Sequence, residues 1–173
     1  MYCLIAAEAA IFTIFVVAYI FYIGKSASGP QPKEVLHAPI FYTVCLLASS
    51  LTIHLAVRKL ALGNAGAFAR WWLLTIVLGG AFLFGTASEW NHLIHEGLTI
   101  STNLFGTTYY SLVGLHAFHV TMGLLALMLV AAFCFAARLR PEHAERLEVL
   151  SMYWHFVDAV WVVVFTIVYV VGV

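Results

Sequence analysis

Five apolar runs dominate this chain, and each is long enough to cross a bilayer as a helix, which takes roughly 20 residues. They extend over Tyr2–Ile23, Pro39–Leu60, Ala69–Asn91, Thr107–Ala137 and Val149–Gly172. The runs are continuously apolar rather than alternating, so barrel strands are excluded and helices that satisfy their own backbone remain. The expected fold class is all-α, a polytopic membrane protein built as a five-transmembrane-helix bundle. With 64% hydrophobic and 9% charged residues in 173, a soluble domain could not hide the apolar surface, so the natural solvent is lipid. The first run has no basic flank or cleavage motif and is too long for a signal-peptide core, so it counts as a span. The fourth exceeds the usual length and is expected to tilt or project. No repeat and no low-complexity segment divides the chain, so one transmembrane domain over residues 1–173 is expected.

The connections carry loop signals: "GKSASGPQPK" after the first run, "RKLALGNAGAFAR" after the second and "RLRPEHAER" before the last. They also orient the bundle. Arg58, Lys59, Arg70, Arg138, Arg140 and Arg146 fall on the side of the N-terminus and of the connections 2–3 and 4–5, whereas the other side has Lys25 and Lys33. The positive-inside rule then puts the N-terminus inside and the C-terminus outside. Lys plus Arg and Asp plus Glu number eight each, so no net charge points to nucleic acid. Cys3, Cys45 and Cys134 sit singly in apolar runs and read as small core residues, not as a disulfide or a metal site.

Ionisable groups inside the spans each cost a few kcal/mol on insertion scales, so each calls for a partner or a task. They are Glu8 in span 1, His54 in span 2, Glu89 in span 3, His116 and His119 in span 4, and His155 and Asp158 in span 5. Leu112, His116, His119, Gly123 and Ala126 share one helical face, as do Glu148, Ser151, His155 and Asp158. Such stripes mark the side that packs on protein. Spans 4 and 5 should be antiparallel neighbours. His119 then lies about 18 Å from its outer end and Asp158 about 14 Å from its inner end, at similar depth. A His–Asp hydrogen-bonded cluster between spans 4 and 5 is expected. Its bland role, interhelical stapling at about 0.6–2 kcal/mol per hydrogen bond, outweighs a functional one. Glu8 shares its face with Phe12, Phe15, Tyr19 and Tyr22, and His54 is the opposite-sign candidate at similar depth. Proton handling or carbodiimide reactivity at Glu8 stands level with plain helix packing.

Metal chemistry finds weak support. "EWNH" (Glu89–His92), "HLIH" (His92–His95) and "HAFH" (His116–His119) each place two candidate ligands on one face. A di-iron carboxylate site needs two E-x-x-H motifs and further glutamates, and one is present. His119 and His155 could face each other as in a bis-histidine haem site, but Asp158 is out of place in an apolar haem pocket. No Gly-rich phosphate loop and no nucleophile elbow occurs, so chain-borne catalysis, resident cofactors and metals are not expected.

Together the polar residues carry a resemblance. "EGLTISTNLFGTTYYSLVGLHAFHVTMG", followed after a basic loop by "LEVLSMYWHFVDAVWVVVFTIVYVVG", closely resembles the C-terminal half of subunit III of haem-copper oxidases. The blocks Gly114–Val120 and Tyr153–Asp158 are its most specific marks; "AAEAAIF", "LLASS" and "ASEW" extend it over nearly the whole chain. The resemblance implies a core membrane subunit of a cytochrome c oxidase that binds no redox metal, with haem and copper held by partner subunits I and II. It implies a hetero-oligomer in a bacterial plasma membrane, flanking subunit I, stabilising it in turnover, supporting proton uptake and binding phospholipid in a cleft. Roles carry over by position to Glu8, His116, His119, Glu148, His155 and Asp158. Larger members have seven spans, whereas this chain opens at what resembles the third, as in five-span bacterial forms; a neighbouring subunit is then expected to supply the two missing helices. Many members have a histidine pair where this chain has Val57 and Arg58, with His54 one turn earlier, so a Glu8–His54 pairing is specific to the present reading. The alternatives are subunit III of a quinol oxidase, an accessory subunit of a nitric oxide reductase, and, from different classes, a free-standing haem-binding electron carrier or a proton-leak channel.

Overall fold

A computed structural model describes residues 2–23, 39–135 and 143–171. Among the described residues the chain forms five α-helices: α1 (Tyr2–Tyr22), α2 (Ile40–Ala61), α3 (Ala65–His95), α4 (Leu104–Phe135) and α5 (Ala144–Phe165). A π-helical turn, Thr166–Val171, continues α5. All five are long and apolar enough to cross a membrane, as the five runs predict. Lys25, Lys33, Arg138 and Arg140, on which part of the orientation rests, lie outside the described residues.

α3 and α4 begin earlier than their apolar runs, and capping explains why. The Asn64 side chain accepts from the Ala67 amide at 2.9 Å, and the Asn103 side chain from the Gly106 amide at 2.7 Å. Each satisfies an otherwise orphaned donor at a helix start. α2 ends at Gly63, whose φ of 75° suits a residue without Cβ. There the Asn64 amide reaches Lys59 O at 3.0 Å and the Gly63 amide reaches Leu60 O at 2.9 Å, a Schellman motif. The same motif ends α3 at Gly97, with the Leu98 amide on Leu93 O at 2.9 Å. The long loop expected after the second run is thus a tight corner, and Arg70 stands inside α3.

Two compact units are formed. The first comprises Met1–Pro39, Gly85–Phe118 and Ala159–Val173, and the second Ile40–Phe84 and His119–Asp158. In the first, Phe12, Tyr19, Phe105, Tyr109 and Trp161 are buried, with the Tyr19 and Phe105 rings 6.3 Å apart. In the second, the Phe68 and Trp72 rings meet at a tilt with centroids 5.0 Å apart, and the Trp72 indole donates to Leu127 O at 2.9 Å. A buried indole N–H calls for such an acceptor. Trp154 is fully buried there and donates to Ser49 Oγ at 2.8 Å. Helix pairs close tightly around it: a Cβ added at Gly79 or Gly123 would stand 3.0 Å or 2.9 Å from its ring.

Candidate functional site

The second unit gathers polar groups from α2 and α5. Ser50 is on α2, midway along an apolar helix, and its hydroxyl meets two partners one turn apart on α5. It lies 2.9 Å from Nδ1 of His155 and donates to Oδ2 of Asp158. On the other side of the imidazole, Ser151 Oγ lies 3.2 Å from Nε2. Asp158 is 3% exposed, and its Oδ1 has no hydrogen-bond partner among the described residues. Residues three and four apart share a helix face, so Ser151, His155 and Asp158 line up along α5 as the spacing predicts.

Below Ser151 the stripe opens into a cleft of about 220 Å³, lined among others by His54, Arg58, Glu145, Glu148 and Ser151. His54 and Glu148, both singled out in the sequence, therefore border one cavity, and both are exposed. Its opposite charges come from the last turns of α2 and the first turns of α5. His119 is buried on α4, and its backbone carbonyl accepts from the Tyr153 hydroxyl at 3.2 Å. Sequence spacing set a span 4 histidine against Asp158; the hydrogen bond Asp158 accepts comes from Ser50.

The first unit holds a different set. His116 is fully buried and stacks on Trp161 with ring centroids 4.9 Å apart, while Phe12 meets it edge-on at 6.4 Å. Glu8 is half-buried on α1, one turn before Phe12; it belongs to this unit and His54 to the other. Glu89 accepts from the Tyr169 hydroxyl at 2.7 Å, and the Tyr169 and Tyr109 hydroxyls lie 3.3 Å apart. Nearby, a cavity of about 420 Å³ is lined by Trp90, Ile94, Thr99, Ile100 and Tyr110. Sequence reasoning missed Ser50 and Tyr169 as partners. A lone hydroxyl in an apolar run carries no positional signal, since it can equally return to its own helix, as Thr13 does to Ala9 O at 2.7 Å.

Cofactor capacity follows from the donors present. Among the described residues no group of three or more His, Cys, Asp or Glu side chains is placed to hold a metal ion. The arrangement holds hydroxyls, imidazoles and carboxyls in hydrogen-bonding contact, which can bind helices together and pass or store protons.

Comparison with known proteins gives these features a context. A family model described as cytochrome c oxidase subunit III matches residues 4–173. The chain is 34% identical over 167 residues to cytochrome bo(3) ubiquinol oxidase subunit 3 of Pseudomonas aeruginosa, covering 95% of this chain and 80% of that one. It is 34% identical over 167 residues to cytochrome c oxidase subunit 3 of Bacillus sp. strain PS3, covering 95% and 81%. Quinol oxidase subunit 3 of Bacillus subtilis is 30% identical over 170 residues, covering 97% and 83%. The five spans and these matches lead to one conclusion: the chain belongs to the cytochrome c oxidase subunit III family, whose members are subunits of multi-subunit haem-copper terminal oxidases in membranes.

Proposed function

We propose that this subunit stabilises the catalytic subunit I of its oxidase and supports proton uptake, while electrons pass through haem and copper held by subunits I and II. The observation that carries this reading is the use made of the buried acid and imidazole. Asp158 and His155 are engaged across helices by the Ser50 hydroxyl, and His155 also by Ser151 on its own helix, a chemistry suited to protons and packing. In this reading the chain has no catalytic centre of its own. It forms one transmembrane domain over residues 1–173, with its N-terminus inside and C-terminus outside a bacterial inner membrane. Glu8, His54, His116, His119, Glu148, His155 and Asp158 are its proton-handling and helix-pairing residues. Phospholipid would fill apolar clefts such as the one beside Trp90, and a neighbouring subunit would stand where larger members have two more helices.

Electron donor identity belongs to the partner subunits. Equal identity to a ubiquinol oxidase subunit and to a cytochrome c oxidase subunit, 34% in each case, favours a role common to both, and a quinol oxidase is the second reading. The test is Glu8→Gln in the assembled oxidase. Haem spectra should stay intact while turnover slows severalfold at alkaline pH or decays progressively during catalysis. Loss of haem on purification, or turnover unchanged across the alkaline range, would overturn the proton-supply role.

A further inference from the structure

A serine hydroxyl has one hydrogen to give. Ser50 gives it to Oδ2 of Asp158. Its oxygen must therefore accept from Nδ1 of His155, 2.9 Å away, so Nδ1 carries the ring N–H. In a neutral imidazole the other nitrogen is then an acceptor, and the network rather than an observed hydrogen fixes that tautomer. Nε2 takes the O–H of Ser151 at 3.2 Å. Three donors thus point the same way, from Ser151 through His155 and Ser50 to Asp158. The upstream end borders the cleft of about 220 Å³ that His54, Arg58, Glu145 and Glu148 also line. The downstream end is a buried carboxyl whose Oδ1 has no hydrogen-bond partner among the described residues. A helix staple needs the Ser50–Asp158 bond alone. It does not need an imidazole and a second hydroxyl in series with an open cleft.

We infer that Ser151, His155 and Ser50 form a directional proton relay from this cleft to Asp158, which stores the proton. A carboxylic acid or hydronium ion in the cleft gives its proton to the Ser151 oxygen. The Ser151 hydrogen passes to Nε2, the Nδ1 hydrogen to the Ser50 oxygen, and the Ser50 hydrogen to Oδ2. Four bonds to hydrogen break and four form; one proton enters and the Asp158 carboxylate becomes a neutral acid. The imidazole is neutral before and after. It ends as the other tautomer, so two hydroxyls and the ring must reset before a second proton follows. Besides the groups in line, the ionisable residues around the relay are His54 and Arg58 on α2 and Glu145 and Glu148 on α5. His119 on α4 is joined to α5 through its carbonyl and Tyr153.

The inference rests on the proposed proton-supply role for its purpose, and two readouts keep them apart. Infrared difference spectra of the assembled oxidase after a pH step report carboxyl protonation, and Asp158→Asn identifies the band that belongs to Asp158. In Ser50→Ala that band should respond about tenfold more slowly or worse, the cost of one broken link. Ser50→Thr, which keeps the hydroxyl, should restore the rate. His155→Gln, which lacks the tautomer exchange, should slow it as Ser50→Ala does, and serves if that variant does not assemble. A pH-insensitive Asp158, or a wild-type rate in the variant that breaks the chain, would sink the relay. Turnover of the same preparations reads the function separately: slowed protonation with unaltered alkaline turnover leaves the relay standing and removes the proton-supply role.

Discussion

Trp154 is the side chain on which the packing of the second unit depends most visibly. Its ring is fully buried, its N–H ends on Ser49 Oγ, and Gly79 and Gly123 bring two helix backbones close to it. Replacing it with phenylalanine removes a donor and leaves the Ser49 oxygen without that bond, a cost of about 1–3 kcal/mol. Trp154→Phe is therefore expected to lower the temperature at which the purified oxidase loses this subunit, read by native electrophoresis after heating. Single residues were legible in the sequence to different depths. Asp158 and His155 stood out because charge in hydrocarbon is rare. Ser49 and Ser50, in the "LLASS" stretch, did not, since a serine reveals its partner only when another helix arrives. Glu89 stood out, but Tyr169, which donates to it, was hidden eighty positions away in the chain.

At the scale of helices, close approach governs the expected outcomes. A methyl at Gly123 would stand 2.9 Å from the Trp154 ring, whereas at Gly80 it would meet nothing within 4 Å. Overpacking costs about 1–3 kcal/mol, while an unobstructed helical glycine gains about 1 kcal/mol on becoming alanine. Gly123→Ala should thus weaken retention of the subunit in detergent, and Gly80→Ala should leave it unchanged or better, both measured as subunit stoichiometry after purification. The existence and type of all five helices were readable from apolar run length. The starts of α3 and α4 were not, because Asn64 and Asn103 cap them several residues ahead of the apolar segments. The π-helical turn at Thr166–Val171 was likewise invisible, for widening a helix by one residue leaves hydropathy unaltered.

For the molecule as a whole, the family assignment sets what purification should return. A tagged chain isolated in mild detergent should bring haem-bearing oxidase subunits with it. The chain stripped of them by harsher detergent should show no Soret absorption; a Soret band retained by the isolated chain would instead favour an electron carrier. The helices differ in how far this chain itself encloses them. α1 has the highest mean hydropathy of the spans, 2.3, and the smallest enclosed share, 11% against 28–39% for the others. Ile14, Val17 and Phe21 on it are 68%, 59% and 59% exposed. So apolar a segment enters the bilayer during synthesis without help from its siblings. Phe12 and Tyr19 seat it on this chain, but most of its surface is left to lipid or to a neighbouring subunit, so assembly of this subunit is expected to divide into an autonomous insertion and a dependent docking.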